Sequence, residues 1–105
     1  MNLAYHPQVE DDLADAAGFY EAQSSGLGED FLLEVRRAVD GVCAMPERWA
    51  RVEGPVRRCL LSRFPFALFY SCNGERIFVL TIVHTRRHPD TWKCRVRWGC
   101  TRSEA

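Results

Sequence analysis

The spacing of hydrophobic positions changes near the middle of the chain. Over residues 8–22 and again over 29–44, apolar side chains recur every three or four positions, which is the period of one helical face. A short connector containing two glycines, residues 24–28, separates the two stretches. The pattern therefore predicts two helices, residues 8–22 and 29–44, that form an antiparallel hairpin.

The second half of the chain alternates with the period of a β-strand. The alternation predicts strands over residues 56–63, 66–71 and 76–84, and the pair Asn73-Gly74 predicts a hairpin turn between the last two. The last strand is apolar on both faces, which is typical of a central strand. Residues 2–5 predict one further short strand, and Glu47 to Pro55 is interpreted as a loop with Trp49 as an anchor.

This order of elements predicts an α+β domain. We expect an N-terminal strand and a helical hairpin packed on a three- to four-stranded antiparallel sheet. Residues 1–98 are assigned to this single domain and residues 99–105 to a flexible tail. The segment Thr91 to Trp98 alternates basic and apolar residues, so it is either a fourth sheet strand or a segment ordered only against a partner.

Composition narrows the class of protein. The 105 residues are 47% hydrophobic, which favours one folded domain. No apolar run approaches the ~20 residues that span a membrane, and the first residues lack the features of a secretory signal. The five cysteines are odd in number and show no CxxC spacing, which argues against disulfides and a zinc site. We expect a cytoplasmic protein with no membrane contact, metal or cofactor.

Charge is strongly divided along the chain. Residues 1–45 hold nine Asp or Glu against two Arg, a net charge of −7, and residues 46–105 hold twelve Lys or Arg against five acids, a net charge of +7. Only Lys93 among the basic residues is a lysine, and Arg suits bidentate contacts with phosphates and carboxylates. The basic half therefore predicts a surface for phosphates or for an acidic partner.

Two groups of basic residues are candidates for chemistry. His84 with Arg86, Arg87 and His88 could act as an acid–base and phosphate-holding set in RNA cleavage, or could simply cap the sheet with a solvated rim. Arg57 and Arg63 would point to the same face of a strand, so they form a better binding pair than Arg57 and Arg58. The alternative is that these charges discourage aggregation at an exposed sheet edge. The acidic run at residues 10–15 fits a helix N-terminus better than a metal site.

With these residues established, the chain resembles the RelE/ParE toxin superfamily of type II toxin–antitoxin systems. The resemblance covers roughly residues 3–95 and rests on YHPQVEDDLADAAGFYEAQSSGLGEDFLLEV, VRRCLLSRFPFALFY and IFVLTIVHTRRHPDTW. RelE-like members cleave messenger RNA on the ribosome, whereas ParE-like members poison DNA gyrase. The RelE pattern places an Arg at about the position of Ala67 and a Tyr where Trp92 stands, so the resemblance favours the ParE branch.

The resemblance implies a toxin that inhibits growth by poisoning gyrase. Its implied partner is a ribbon-helix-helix, ParD-like antitoxin whose acidic tail folds onto the toxin as helix and strand, and through which the complex binds operator DNA. The alternatives are a ribosome-dependent mRNA endonuclease using Arg63, His84, Arg86 and Trp92, and an inactive homologue that only binds antitoxin. The expected contact residues for antitoxin or target are Arg57, Arg63, Arg86, Arg87, Trp92, Arg95, Arg97 and Trp98, with Arg86 to Trp98 as the toxic contact.

Overall fold

The computed structural model describes residues 2–74 and 76–86. A five-stranded sheet with strand order β1-β5-β4-β3-β2 carries two helices. The elements are β1 (Asn2–Tyr5), α1 (Val9–Gln23), α2 (Leu27–Ala44), β2 (Ala50–Glu53), β3 (Val56–Leu60), β4 (Phe66–Asn73) and β5 (Arg76–His84). The predicted α+β class and the helical hairpin are confirmed.

The sheet differs in detail from the predicted one. It is mixed rather than wholly antiparallel, because β1 pairs with β5 in parallel while all other neighbours are antiparallel. The loop predicted for Glu47 to Pro55 contains strand β2, all four residues of which are exposed. An edge strand without a buried face has no alternating pattern to reveal it. The strand predicted over residues 56–63 ends earlier, at Leu60.

The two helices approach each other closely at their connection. A side chain at Gly28 would place its Cβ 2.5 Å from the carbonyl oxygen of Ala17, so only glycine permits this approach. Gly26 has a positive φ of 88° at the turn. The Glu21 carboxylate then accepts hydrogen bonds from the backbone N–H groups of Gly26 and Gly28. These contacts fix the turn of the hairpin.

The main core lies between the hairpin and one face of the sheet. Four aromatic rings form its centre, with ring centroids 4.8 Å apart for Tyr20 and Phe64 and 5.0 Å apart for Phe31 and Phe66. Aliphatic side chains from both helices and from β3, β4 and β5 surround them. The opposite face of the sheet carries no helix in the described structure and holds only a small apolar cluster: Val56, Ala67, Phe69 and Leu80.

Hydrogen bonds between side chains and distant elements set the position of the helices on the sheet. Thr81 on β5 donates to the Asp12 carboxylate on α1 at 3.0 Å. The Tyr70 hydroxyl donates to the carbonyl of Pro46, just after α2, at 2.5 Å. Burial raises the pKa of the Tyr70 phenol to about 12, so it stays a donor across the physiological range.

Three further observations concern the described part of the chain. None of its helices is both long and apolar enough to cross a membrane. Cys43, Cys59 and Cys72 are free thiols. Residues 2–74 and 76–86 contain no cluster of three His, Cys, Asp or Glu side chains placed to hold a metal ion.

The packing predicts that substitution by Asp has very different effects on stability at two nearby positions of α2. Val35 is 5% exposed in the core, whereas Leu33 is 51% exposed on the outer side of the same helix. We expect Val35→Asp to lower the free energy of unfolding by about 3 kcal/mol or more, because it buries an unpaired carboxylate. The control Leu33→Asp should change it by less than ~0.5 kcal/mol. Urea unfolding measures both, and equal midpoints would contradict this orientation of α2.

Candidate functional site

The sheet face opposite the helical hairpin contains a groove of about 270 Å³. It runs across β3, β4 and the end of β5, on the side opposite the main core. Its lining residues are Arg58, Leu60, Ala67, Phe69, Val83, His84 and Thr85. We call this feature the sheet groove.

A small residue at the floor creates the depression. Leu60, Ala67 and Val83 lie side by side on three adjacent strands. Ala67 is only 3% exposed, yet its methyl group fills far less space than its larger neighbours, and Leu60 remains 54% exposed at the wall. An exposed leucine beside a buried alanine favours the docking of another apolar side chain.

Positive charge borders this apolar floor. Arg58 lies opposite Phe69 in the strand register and lines the groove. Arg63 and Arg86 are exposed in the segments at the end of the sheet. Those two segments are tied together, since the N–H of Thr85 donates to the carbonyl of Pro65 at 2.8 Å. We call these three exposed arginines the basic rim: Arg58 lines the groove, whereas Arg63 and Arg86 lie beyond the strand ends.

Arg57, by contrast, does not line the groove. Its guanidinium donates to the carbonyl oxygens of Trp49 at 2.7 Å and of Glu47 at 3.1 Å, which anchors the connector between α2 and β2. The structure therefore does not bring the expected binding pair, Arg57 and Arg63, together in the groove: Arg58 lines it, and the Arg63 guanidinium lies beside Asp30 on α2. The shared parity of Arg58 and Leu60 was visible in the sequence, but nothing there showed which face the helices cover.

His84 closes the groove where β5 ends. Its Nδ1 accepts a hydrogen bond from the backbone N–H of Arg86 at 3.1 Å, and its ring packs edge-on against Phe66 with centroids 5.4 Å apart. These contacts hold the turn that follows β5. The structure thus brings Arg63, His84 and Arg86, three of the four candidate nuclease residues, to one end of the sheet.

A buried carboxylate organises the loop that carries Arg63. Oε2 of Glu34 on α2 accepts three hydrogen bonds, from the Ser62 hydroxyl at 2.6 Å, the Ser62 N–H at 2.8 Å and the Arg63 N–H at 3.2 Å. Donation by the Ser62 hydroxyl, followed by the backbone donors, lowers the pKa of Glu34 below its ordinary value. Nothing in the sequence distinguishes Glu34 from the other acidic residues of the helical half.

The Arg63 side chain itself stays at the surface. Its guanidinium lies 3.8 Å from the Asp30 carboxylate, and both side chains are about half exposed. It also lies over the ring of Phe64, 5.5 Å from the ring centre. An exposed pair of this kind adds little stability, so Arg63 is available to a competing acidic group. The remaining predicted contact residues, Arg87, Trp92, Arg95, Arg97 and Trp98, lie outside the described residues.

The comparisons with known proteins agree with this fold. The family described as "ParE toxin of type II toxin-antitoxin system, parDE" matches residues 3–89. The chain belongs to this family, and is thus a ParE-like toxin, as the resemblance predicted.

One similar solved structure is described as "Chromosomal ParDE TA system from P. aeruginosa". It matches with a TM-score of 0.68 and 20% identity, over 80% of this chain and 95% of the other. At that identity the match establishes a shared fold. No curated protein matches the chain.

The lowered pKa of Glu34 predicts a pH-dependent stability. A carboxyl whose pKa is lower in the folded than in the unfolded state stabilises the fold at pH values above its ordinary pKa of 4.5. This contribution is lost as the pH falls through the lowered pKa of the folded state. Glu34→Gln should therefore reduce the free energy of unfolding at neutral pH, and the difference from wild type should shrink in acid. Urea unfolding between neutral and acidic pH tests this. The exposed Glu29→Gln on the same helix controls for the loss of one charge, and a pH-independent difference at Glu34 would contradict the assignment.

Proposed function

We propose that this protein is a growth-inhibiting toxin that poisons DNA gyrase and is neutralised by a cognate antitoxin. The observation that carries the proposal is the match of residues 3–89 to the ParE toxin family. The similar structure from P. aeruginosa, described as a ParDE system, supports an antitoxin partner. Toxin and antitoxin would meet in the cytoplasm, and the complex would reach operator DNA through the antitoxin.

The sheet groove supports a binding role for the basic half of the chain. Its apolar floor, formed around Ala67 and Phe69, suits a hydrophobic side chain of a partner segment. The basic rim suits acidic residues on either side of that side chain. A ribbon-helix-helix, ParD-like antitoxin with an acidic, disordered tail would present both the hydrophobic side chain and the acidic residues. Its tail would fold as helix and strand when it binds.

The same groove argues for binding rather than RNA cleavage. The strand position where the nuclease branch carries an Arg holds the methyl group of Ala67, which cannot stabilise a phosphoryl-transfer transition state. His84, Arg63 and Arg86 do lie at one end of the sheet. That juxtaposition keeps a ribosome-dependent mRNA endonuclease as the second candidate function.

The toxic contact is proposed to begin at the exposed Arg86 and to include Arg87, Trp92, Arg95, Arg97 and Trp98. Arg and Trp are the residue types that most often dominate the energy of an interface. In this proposal the toxin would engage gyrase with this segment and the antitoxin with the sheet groove.

The choice between the two candidate functions is tested directly. Purified toxin should inhibit supercoiling by gyrase and should leave messenger RNA intact on translating ribosomes. Supercoiling gels measure the first effect and primer extension measures the second. Codon-phased cuts that disappear in Arg86→Ala would transfer the assignment to the nuclease.

Filling the groove should block the antitoxin without unfolding the toxin. We expect Ala67→Leu to weaken antitoxin binding by at least tenfold, about 1.4 kcal/mol, because the larger side chain occupies the depression between Leu60 and Val83. Ala14→Leu on the exposed side of α1 is the matched control. Calorimetric titration measures both affinities, and undiminished binding by Ala67→Leu would place the antitoxin elsewhere.

Reversing the charge of the rim should slow association with an acidic antitoxin. Arg58→Glu should reduce the association rate and flatten its dependence on salt, because long-range attraction is screened by ions. Arg51→Glu, on the exposed edge strand β2, makes the same charge change away from the groove. Surface-plasmon measurements from low to high salt compare the variants, and equal losses at both positions would show only a net-charge effect.

A further inference from the structure

We infer that Glu34 is a positioning residue for partner binding, because it holds the loop that presents the exposed Arg63 at the end of the sheet. The inference rests on the proposed function, in which the basic rim meets an acidic partner. Glu34 itself is 8% exposed and faces the loop rather than solvent. Its contribution to binding would therefore be made through the loop and not by contact with the partner.

The geometry at Glu34 is that of an anion held by a backbone cradle. Two consecutive N–H groups, of Ser62 and Arg63, and the Ser62 hydroxyl all donate to one carboxylate oxygen, at 3.2 Å or less. Charge-assisted hydrogen bonds of this kind are roughly twice as strong as neutral ones. A neutral side chain at position 34 would hold the same three donors less firmly.

Helix α2 contacts both the backbone and the side chain of Arg63. Glu34 binds its backbone N–H, and Asp30, one helical turn earlier, lies 3.8 Å from its guanidinium. The backbone contact is buried and the side-chain contact is exposed, so the first fixes where the residue stands and the second can be exchanged for a partner's carboxylate. Arg63 is thus held in place while its charge stays usable.

The three hydrogen bonds to Glu34, which we call the Glu34 clamp, also affect the end of β5. Beyond Arg63 the loop buries Phe64 in the core, and the carbonyl of Pro65 accepts the N–H of Thr85 at 2.8 Å. Thr85 lines the groove and precedes Arg86. Releasing the Glu34 clamp would therefore loosen two members of the basic rim, Arg63 directly and Arg86 through the Pro65–Thr85 bond.

Amide hydrogen exchange tests the clamp itself. In Glu34→Gln, the amides of Ser62, Arg63 and Thr85 should exchange at least tenfold faster than in wild type, while amides in the β4–β5 ladder should accelerate only by the smaller factor that the loss of global stability produces. Glu29→Gln removes an exposed charge from the same helix and should change none of them. Unchanged exchange at Ser62 and Arg63, or equal acceleration throughout the sheet, would overturn the inference.

A double-mutant cycle tests the consequence for binding, with polyglutamate as the probe of the basic rim. In wild type and in Glu29→Gln, Arg63→Ala should weaken polyglutamate binding about fivefold, and in Glu34→Gln the same change should cost less than about twofold. A residue that only stabilises the fold would leave the cost of Arg63→Ala unchanged. The same fold-change in all three backgrounds therefore refutes the positioning role.

If Glu34→Gln folds poorly, a milder variant can be used for the same measurements. Ser62→Ala removes only the hydroxyl donor and should shift exchange and binding in the same direction by a smaller factor. A separate outcome addresses the proposed function: if Arg63→Ala has no effect in wild type, the basic rim is not the docking surface. In that case the claim for partner binding fails too, even where exchange shows that the clamp exists.

Discussion

Burial of one face of the sheet by the helical hairpin is the constraint on which the rest of the structure depends. The aromatic rings of Tyr20, Phe31, Phe64 and Phe66 fill the space between the two layers, and burial of such rings is the main source of stability in a small domain. The described residues form two helices, and both pack on the same side of the sheet. In the described part of the chain, the other side of the sheet holds a small apolar cluster and the sheet groove.

The polar contacts serve that layered arrangement. Tyr70 and Arg57 bind backbone carbonyls after α2, and Glu34 binds backbone N–H groups between β3 and β4. Each joins a helix or its connector to a strand or loop, and those of Tyr70 and Glu34 link residues at least 24 positions apart. Because buried donors and acceptors must find partners, these bonds also fix the connector after α2 and the loop between β3 and β4. The same bonds therefore stabilise the fold and position the candidate site.

The division of charge acquires a spatial meaning in the fold. The acidic half of the chain forms the helices, and the basic half forms most of the sheet with its exposed Arg58, Arg63 and Arg86. The sheet face opposite the hairpin thus carries the positive charge of Arg58, and Arg63 and Arg86 are exposed at the end of the sheet, which suits an acidic partner. Family membership places this surface in a toxin, and the small side chain of Ala67 gives the surface an apolar depression.

The sequence by itself determined the two helices and the β4–β5 hairpin, because strong periodicity and the Asn73-Gly74 turn act locally. It did not reveal β2, whose four residues are all exposed. Only the tertiary structure decided that Arg58 and not Arg57 lines the groove: both faces of β3 carry apolar residues, so the covered face depends on where the helices pack. It alone also showed the contacts of Glu34, since this carboxylate and the donors it binds lie 28 and 29 residues apart in the chain.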